Sequence, residues 1–425
     1  MNRDELHLHE PLWTPRFMVL LISAVFMYVM TFMLTPTLPL YVDEISVGTV
    51  VATGGLIVAA YTFGSLLSRL IWGRLTDIWG RRPVYLIGAF IMLLISPCFG
   101  SARILAVIVV LRLVQGVGFS ASSTAAATMA ADLVPASRRG EGIGYYALAN
   151  TVGMAIGPEL GMYILQHLGY RWLFASSAFL GMLALMSGAF VTTAGIIRVR
   201  SVVVRKSGFT QAARKCGDRI KNIERRTATM MSSHERRRLI EPKALPSSIV
   251  LLFVIMPYGA VMAYIGAYGL HQGVNDIGIF FSVFAAALFI VRLFTGRISD
   301  RYGVQTVIVP AAVLMGVGLF ILLWASSLVV FLLSATLFGS GFGIAMPVLQ
   351  ATAYTLSADD RRGAAGATVF ASADIAYGLG ALLLGLGISA FGYPIAFAAL
   401  SVLDVVVVVL FITVLRPRLI ETRLT

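Results

Sequence analysis

Runs of roughly twenty apolar residues, the length that crosses a bilayer core, recur along the chain and are separated by short polar breaks. Twelve such runs are predicted as helices. In the first half they centre near Tyr28, Tyr61, Met92, Leu113, Gly153 and Gly181, and in the second near Ala260, Ala286, Met315, Leu337, Tyr377 and Leu403. The first run, from about Phe17 to Leu40, has no small-residue cleavage site before Asp43-Glu44, so it reads as a retained helix and not as a signal peptide. Alternate breaks are short, as at Ser101-Ala102-Arg103 and His271-Gln272-Gly273, and leave no room for an ectodomain. One break is long: from about Arg198 to Pro246 the chain is rich in Arg and Lys, with Pro242 and Pro246 closing the segment.

The pattern is written twice. Gly73-Arg74-Leu75-Thr76-Asp77-Ile78-Trp79-Gly80-Arg81-Arg82-Pro83 is a charged, glycine-punctuated turn between two apolar runs. A shift of 223 positions, Gly73 to Gly296, carries Arg69, Gly73, Arg74, Asp77 and Gly80 onto Arg292, Gly296, Arg297, Asp300 and Gly303. Beyond the turn, Gly116 and Gly118 land on Gly339 and Gly341, Arg138-Arg139-Gly140 on Arg361-Arg362-Gly363, and Gly157 on Gly380. The expected fold is therefore an all-α membrane protein, twelve transmembrane helices arranged as two six-helix parallel repeats. Residues 1–197 form the first half, 198–246 a basic linker and 247–425 the second half.

Composition and charge sharpen this picture. With 58% hydrophobic and 12% charged residues, the chain is too apolar to present a water-soluble surface. The net charge of +13 would suit nucleic acid, but its placement argues otherwise. Of 33 Lys and Arg, 28 fall in the tails and alternate loops of one face, Arg103 and Arg171 fall on the other, and three lie within apolar runs. That is the positive-inside pattern, so both termini are expected in the cytoplasm of a multi-pass plasma (inner) membrane protein. The linker reads as a surface-lying basic segment drawn to anionic lipid or as a regulatory docking segment. Cys98 and Cys216 are predicted to face opposite compartments, and no disulfide is expected.

Three motifs carry a family resemblance that covers nearly the whole chain. The turn from Gly73 to Arg82 resembles the loop between helices two and three of the major facilitator superfamily. Arg112-Leu113-Val114-Gln115-Gly116-Val117-Gly118 resembles its fourth-helix arginine motif, and Gly153-Met154-Ala155-Ile156-Gly157-Pro158-Glu159-Leu160-Gly161 its fifth-helix exporter motif. Together they resemble the twelve-helix drug:proton antiporter (multidrug efflux) branch. Two positions depart from the fifth-helix motif: Glu159, where an apolar or small residue is expected, and Met162 in place of the final glycine. The resemblance implies a cytoplasmic gate of Gly73, Asp77, Arg81 and Asp132 that latches the outward-facing state. Asp77 and Arg81 stand four apart, the spacing of a helical ion pair. The alternative is that the arginines serve topology alone.

Three intramembrane groups are candidates for proton coupling. Arg112 lies about eight residues inside its span, where a charge costs on the order of 3 kcal/mol, and Glu159 returns to a similar depth on the next helix. The two are expected to pair or to share a wet pocket, either as a static ion pair or as a pair that separates when Glu159 takes up a proton. Asp374, mid-span in Phe370-Ala371-Ser372-Ala373-Asp374-Ile375-Ala376-Tyr377-Gly378, has no arginine near it in sequence, so burial would let it bind protons reversibly. Tyr377 shares its face and is positioned to hydrogen-bond it. The alternative is a permanently protonated structural acid. Asp404 is also intramembrane, on the usually peripheral twelfth helix. One proton suffices energetically, since a charge moving down 100 mV releases about 2.3 kcal/mol, a roughly fortyfold substrate gradient.

The resemblance places the first, fourth, seventh and tenth helices around the cavity, offering Tyr28, Phe32 and Thr35, Gln115, Tyr258, Met262 and Tyr264, and Met346 and Gln350; Tyr377 joins them from the eleventh. Aromatic and methionine side chains accommodate apolar or cationic molecules, though each also reads as ordinary helix packing. The expected activity is proton-coupled export of small amphipathic molecules or drugs. The alternatives are dedicated export of an endogenous metabolite, such as a sugar or a metallophore-like compound, or uptake by symport. Partners are the small-molecule substrate, protons and membrane lipid, with a monomer as the default and no nucleic acid, cofactor or metal. An enzyme is not expected: His7, His9, His167, His234 and His271 all fall outside the spans, and neither H-E-x-x-H nor a P-loop occurs. A sensor would need an output domain; none is expected, though the basic loop could recruit one.

Overall fold

The computed structural model describes residues 12–45, 50–135, 139–191, 241–274, 276–357 and 362–419. Each expected apolar run coincides with one long helix. The first half contains α1 (Pro15–Ile45), α2 (Val50–Ile78), α3 (Arg81–Cys98), α4 (Leu105–Leu133), α5 (Arg139–Leu168) and α6 (Tyr170–Phe190). The second contains α7 (Leu245–His271), α8 (Ile279–Tyr302), α9 (Val304–Phe320), α10 (Leu328–Leu356), α11 (Arg362–Phe391) and α12 (Tyr393–Leu410), which continues through a π turn at Phe411–Leu415. No strand occurs among the described residues. Ten of these helices hold a sufficiently apolar window to cross a membrane. The other two, α2 and α5, are 29 and 30 residues long, about 44 Å at 1.5 Å per residue. Residues 192–240, most of the expected basic linker, lie outside the described residues.

The duplication is visible in the backbone. Gly80 and its mate Gly303 enter α3 and α9 with φ of 91° and 89°. Gly169 and its mate Gly392 enter α6 and α12 with φ of 82° and 78°. A side chain with a Cβ is strained at such angles, which accounts for glycine at all four positions. Packing repeats as well: α1 lies on α5, α2 on α4 and α3 on α4, while α7 lies on α11, α8 on α10 and α9 on α10. Small residues set these contacts, as membrane helices require. A Cβ at Gly116 would lie 2.0 Å from the Tyr61 carbonyl oxygen, and one at its mate Gly339 would lie 2.6 Å from the Phe284 carbonyl oxygen.

The two cores differ inside this common frame. In the second half one continuous apolar cluster runs from Ala244 to Leu415 and takes in Val58, Met154 and Met162 of the first half. In the first half the apolar core is split into two clusters, one around Met27, Tyr85 and Met129 and another around Met33, Phe99 and Phe174. Between them lie Arg112 and Gln115 of α4 and the Ser96–Ser177 hydrogen bond, 3.1 Å, of α3 and α6. The four positions that match this polar layer in the second half are Ala335, Phe338, Leu319 and Leu400.

The halves meet where α2 packs on α11, α5 on α8 and α1 on α7. At the end away from Arg74, Arg81 and Arg82 the contact is tight: a Cβ at Gly55 would lie 2.6 Å from the Ala381 carbonyl oxygen, and Gly54 sits against Pro39 and Tyr264. At the arginine-rich end, Gly73 and its mate Gly296 have no atom of another element within 4 Å of where a Cβ would stand. By these glycine contacts the halves are closed against each other at one end and not at the other.

Candidate coupling site at the seam between the halves

Arg112 is almost wholly buried, at 1% exposure, and is held within its own half. Its guanidinium donates to Gln115 Oε1 at 2.9 Å and to the Leu34 carbonyl at 2.9 Å, and it lies 5.4 Å from the Tyr61 ring centroid. The expected pairing with Glu159 does not form. Gly157 and Gly161 turn toward α1, where they rest on Phe32, Val29 and Met33. Glu159, two residues from each, is rotated by about 200° from that face and lies in a cleft between α5 and α8. Depth along the helix was matched, but azimuth was not.

Asp374 is the group that crosses the seam. Its Oδ2 accepts from Arg69 Nε at 3.0 Å, from Arg69 Nη2 at 2.8 Å and from Ser65 Oγ at 3.2 Å. Arg69 Nη2 also donates to Ser65 Oγ, and its guanidinium lies 5.6 Å from the Phe370 ring. Ion pair and hydroxyl thus tie α2 to α11, with both charged side chains about five-sixths buried. The expected Tyr377 bond is replaced by this pair; the Tyr377 ring packs instead at 5.6 Å from Tyr258. Arg69 is far from Asp374 in sequence, but its recurrence as Arg292, inside an apolar run, was the signal that could have singled it out.

The repeat mate of this pair is chemically different. Arg292 of α8 donates to Thr151 of α5 and lies 3.8 Å from Met346 Sδ. Thr151 is the counterpart of Asp374, so the same geometry holds a neutral acceptor. Here the helices part to leave a cleft of about 510 Å³, lined by Thr151, Ile156, Glu159, Ala285 and Phe289 among others.

The remaining expected residues are spread over both halves. Arg81 Nε stands 3.0 Å from Asp132 Oδ2, both partly exposed and both in the first half; the Asp77 side chain lies outside the described residues. Tyr28 is buried, shares a 3.0 Å hydrogen bond with Tyr146 and stacks on Phe32 at 6.4 Å. Tyr258 is buried and stacks on Phe342 at 4.3 Å. Gln115 is engaged by Arg112, Met346 neighbours Arg292, and Gln350 is half-buried on α10. Tyr264 sits against Gly54 in the closed end. Asp404 is buried in the second half beside Gly316 of α9, away from the seam.

The sequence profile of the Major Facilitator Superfamily matches residues 20–275 and 244–423. The chain belongs to this superfamily. Multidrug resistance protein Stp of Mycobacterium tuberculosis (strain CDC 1551 / Oshkosh) is 24% identical over 364 residues, covering 77% of this chain and 67% of that protein. Multidrug resistance protein 3 of Bacillus subtilis (strain 168) is 29% identical over 129 residues, 30% of this chain and 25% of that protein. Of the curated relatives matched at higher identity the chain spans about a quarter of the length. Among solved structures, the inward open xylose transporter XylE from E. coli superposes with a TM-score of 0.72 at 16% identity, covering 94% of this chain and 95% of that one. This likeness shows the fold that the two chains share.

Proposed function

We propose that the chain is a proton-coupled exporter of small amphipathic molecules, working in the plasma (inner) membrane with both termini cytoplasmic. Its two halves rock about a midplane site. The observation that carries the reading is the Asp374–Arg69 pair, the ion pair that crosses the seam among the described residues. Proton uptake at Asp374 removes one member of the pair. Arg69 is then an uncompensated charge in a nearly dry contact, a situation that costs several kcal/mol until α2 and α11 part and water reaches it. Protonation is thereby linked to rocking. Arg112, held by Gln115, supplies fixed positive charge beside the seam.

Export is supported by the fifth-helix Gly-Pro motif and by the multidrug resistance proteins among the relatives. The gate of Gly73, Asp77, Arg81 and Asp132 would latch the arginine-rich end when the opposite end opens. Tyr28, Phe32, Tyr258 and Tyr377 are the aromatic groups that would meet an amphipathic cargo.

The test is proton movement in sealed proteoliposomes carrying a pH-sensitive dye, challenged with lipophilic cations, neutral drugs and zwitterionic metabolites. The expected result is that at least one compound dissipates an imposed pH gradient through the wild type and not through Asp374→Asn. Coupling by the variant at the wild-type rate would remove Asp374 from the mechanism. Silence of the wild type toward every compound would count against broad export.

A further inference from the structure

The cleft between α5 and α8 opens on the flank of the bundle. Its floor is formed by Thr151 and Ala285, at 5% and 9% exposure, and its rim by Ile156, Tyr163 and Phe289, all about half exposed. Ile156 and Phe289 are apolar groups near the middle of membrane-spanning helices, with Tyr163 closer to the end of α5, so the mouth faces the hydrocarbon of the bilayer and not water. Its volume of about 510 Å³ falls within the usual range for a drug-sized ligand. Glu159 lies in this lining, roughly 13 Å of helix from the end of α5 at Leu168. Among the described residues it forms no ion pair. The nearest basic side chain on the facing helix, Arg292, is committed to Thr151 and Met346.

An unpaired carboxylate at membrane depth is costly and marks function more often than packing. Its repeat mate is apolar: Glu159 corresponds to Leu382, whose backbone packs against Gly55 in the opposite seam. We infer that the α5–α8 cleft is a binding site, entered from the bilayer, for a lipophilic cation: one weakly hydrated positive charge on an aromatic or aliphatic body. Glu159 supplies the counter-charge and Ile156, Tyr163 and Phe289 supply the apolar and aromatic walls. A strongly hydrated cation would have to shed its water to reach this depth, and an anion would meet a like charge. The inference deepens the exporter reading by assigning the cargo's charge, and binding is measured apart from transport so that the two fail separately.

The experiment is equilibrium binding of radiolabelled tetraphenylphosphonium to the full chain in phosphatidylcholine nanodiscs, with neutral triphenylphosphine oxide as the comparison probe. The wild type is expected to bind the cation saturably. Glu159→Gln is expected to weaken it by about tenfold or more while leaving the neutral probe unchanged, and Glu159→Asp to restore most of the difference. Ala286→Trp, which fills the cleft, and Ile156→Trp at its rim are expected to weaken both probes. Asp374→Asn is expected to bind the cation as the wild type does even where it no longer couples to protons. Absence of saturable binding, equal affinity in wild type and Glu159→Gln, or indifference to both tryptophan variants would overturn the proposal. So would loss of binding when phosphatidylethanolamine replaces phosphatidylcholine, because a lipid ammonium would then be the occupant.

Discussion

The two seams that join the halves are counterparts under the duplication, α2 with α11 on one side and α8 with α5 on the other, yet they are built differently. At the first, Arg69 meets Asp374; at the second, Arg292 meets Thr151. In the first, a Cβ at Gly378 would lie 2.1 Å from Thr62 Oγ1, so the absence of a side chain lets α11 rest on α2. The matching positions in the second are Ala155 and Ala285, and both line the cleft. Leu382 of the first becomes Glu159 of the second. Four positions thus turn a symmetric backbone into one tight, charged seam and one loose seam with an acid exposed to the bilayer. Duplication supplies the frame, and a few side chains divide the work.

Breaking the charged seam has the largest expected effect. Asp374→Ala leaves Arg69 unpaired, which costs about 3 kcal/mol or more for a nearly buried charge, and abolishes proton-coupled substrate accumulation in proteoliposomes. Arg69→Gln combined with Asp374→Asn is expected to recover thermal stability without recovering coupling, which separates the two roles. Next comes the polar layer of the first half. Arg112→Met strands Gln115 and the Leu34 carbonyl and is expected to destabilise by roughly 1–3 kcal/mol, read as a lowered unfolding midpoint in detergent. Its mate Ala335 lies in apolar surroundings, so Ala335→Met tests overpacking alone, at about 1–3 kcal/mol with no loss of polar partners.

Changes of one methyl sharpen the comparison further. Gly378→Ala is expected to push α2 from α11 and cost roughly 1–3 kcal/mol, seen as a longer spin-label distance across that seam. Ala155→Gly on the loose side is expected to cost about 1 kcal/mol of helix propensity and to leave the distance across α5 and α8 unchanged. The smallest effect belongs to Arg81→Gln. Its pair with Asp132 is partly exposed, so a change of about 0–1 kcal/mol is expected, unless the gate adds a transport defect that a flux assay would reveal.

The helices, their number among the described residues and the parallel repeat were legible in the chain because hydrophobic runs and the 223-residue register are local and periodic. Asp374 was legible for the same reason: a carboxylate in an apolar run stands out. Its partner was not, because no sequence spacing brings Arg69 of α2 to α11. Only the recurrence of an intramembrane arginine as Arg292 pointed to it. The Arg112–Glu159 pairing failed for a different reason. Depth follows from counting residues, whereas the direction a side chain faces is set by which neighbour the glycines of α5 choose, and they choose α1. Glu159 as a departure from the fifth-helix motif was visible from the start; that it faces a lipid-side cleft required the packing of α8.

The central claim is that proton coupling resides in the α2–α11 pair and not in its repeat mate. The most direct measurement compares substrate-driven proton movement in proteoliposomes for Asp374→Asn and Arg292→Gln, each against wild type. If the claim holds, Asp374→Asn shows no proton movement, whereas Arg292→Gln shows proton movement still tied to substrate, though slower. Coupling that survives in the first and vanishes in the second would contradict it.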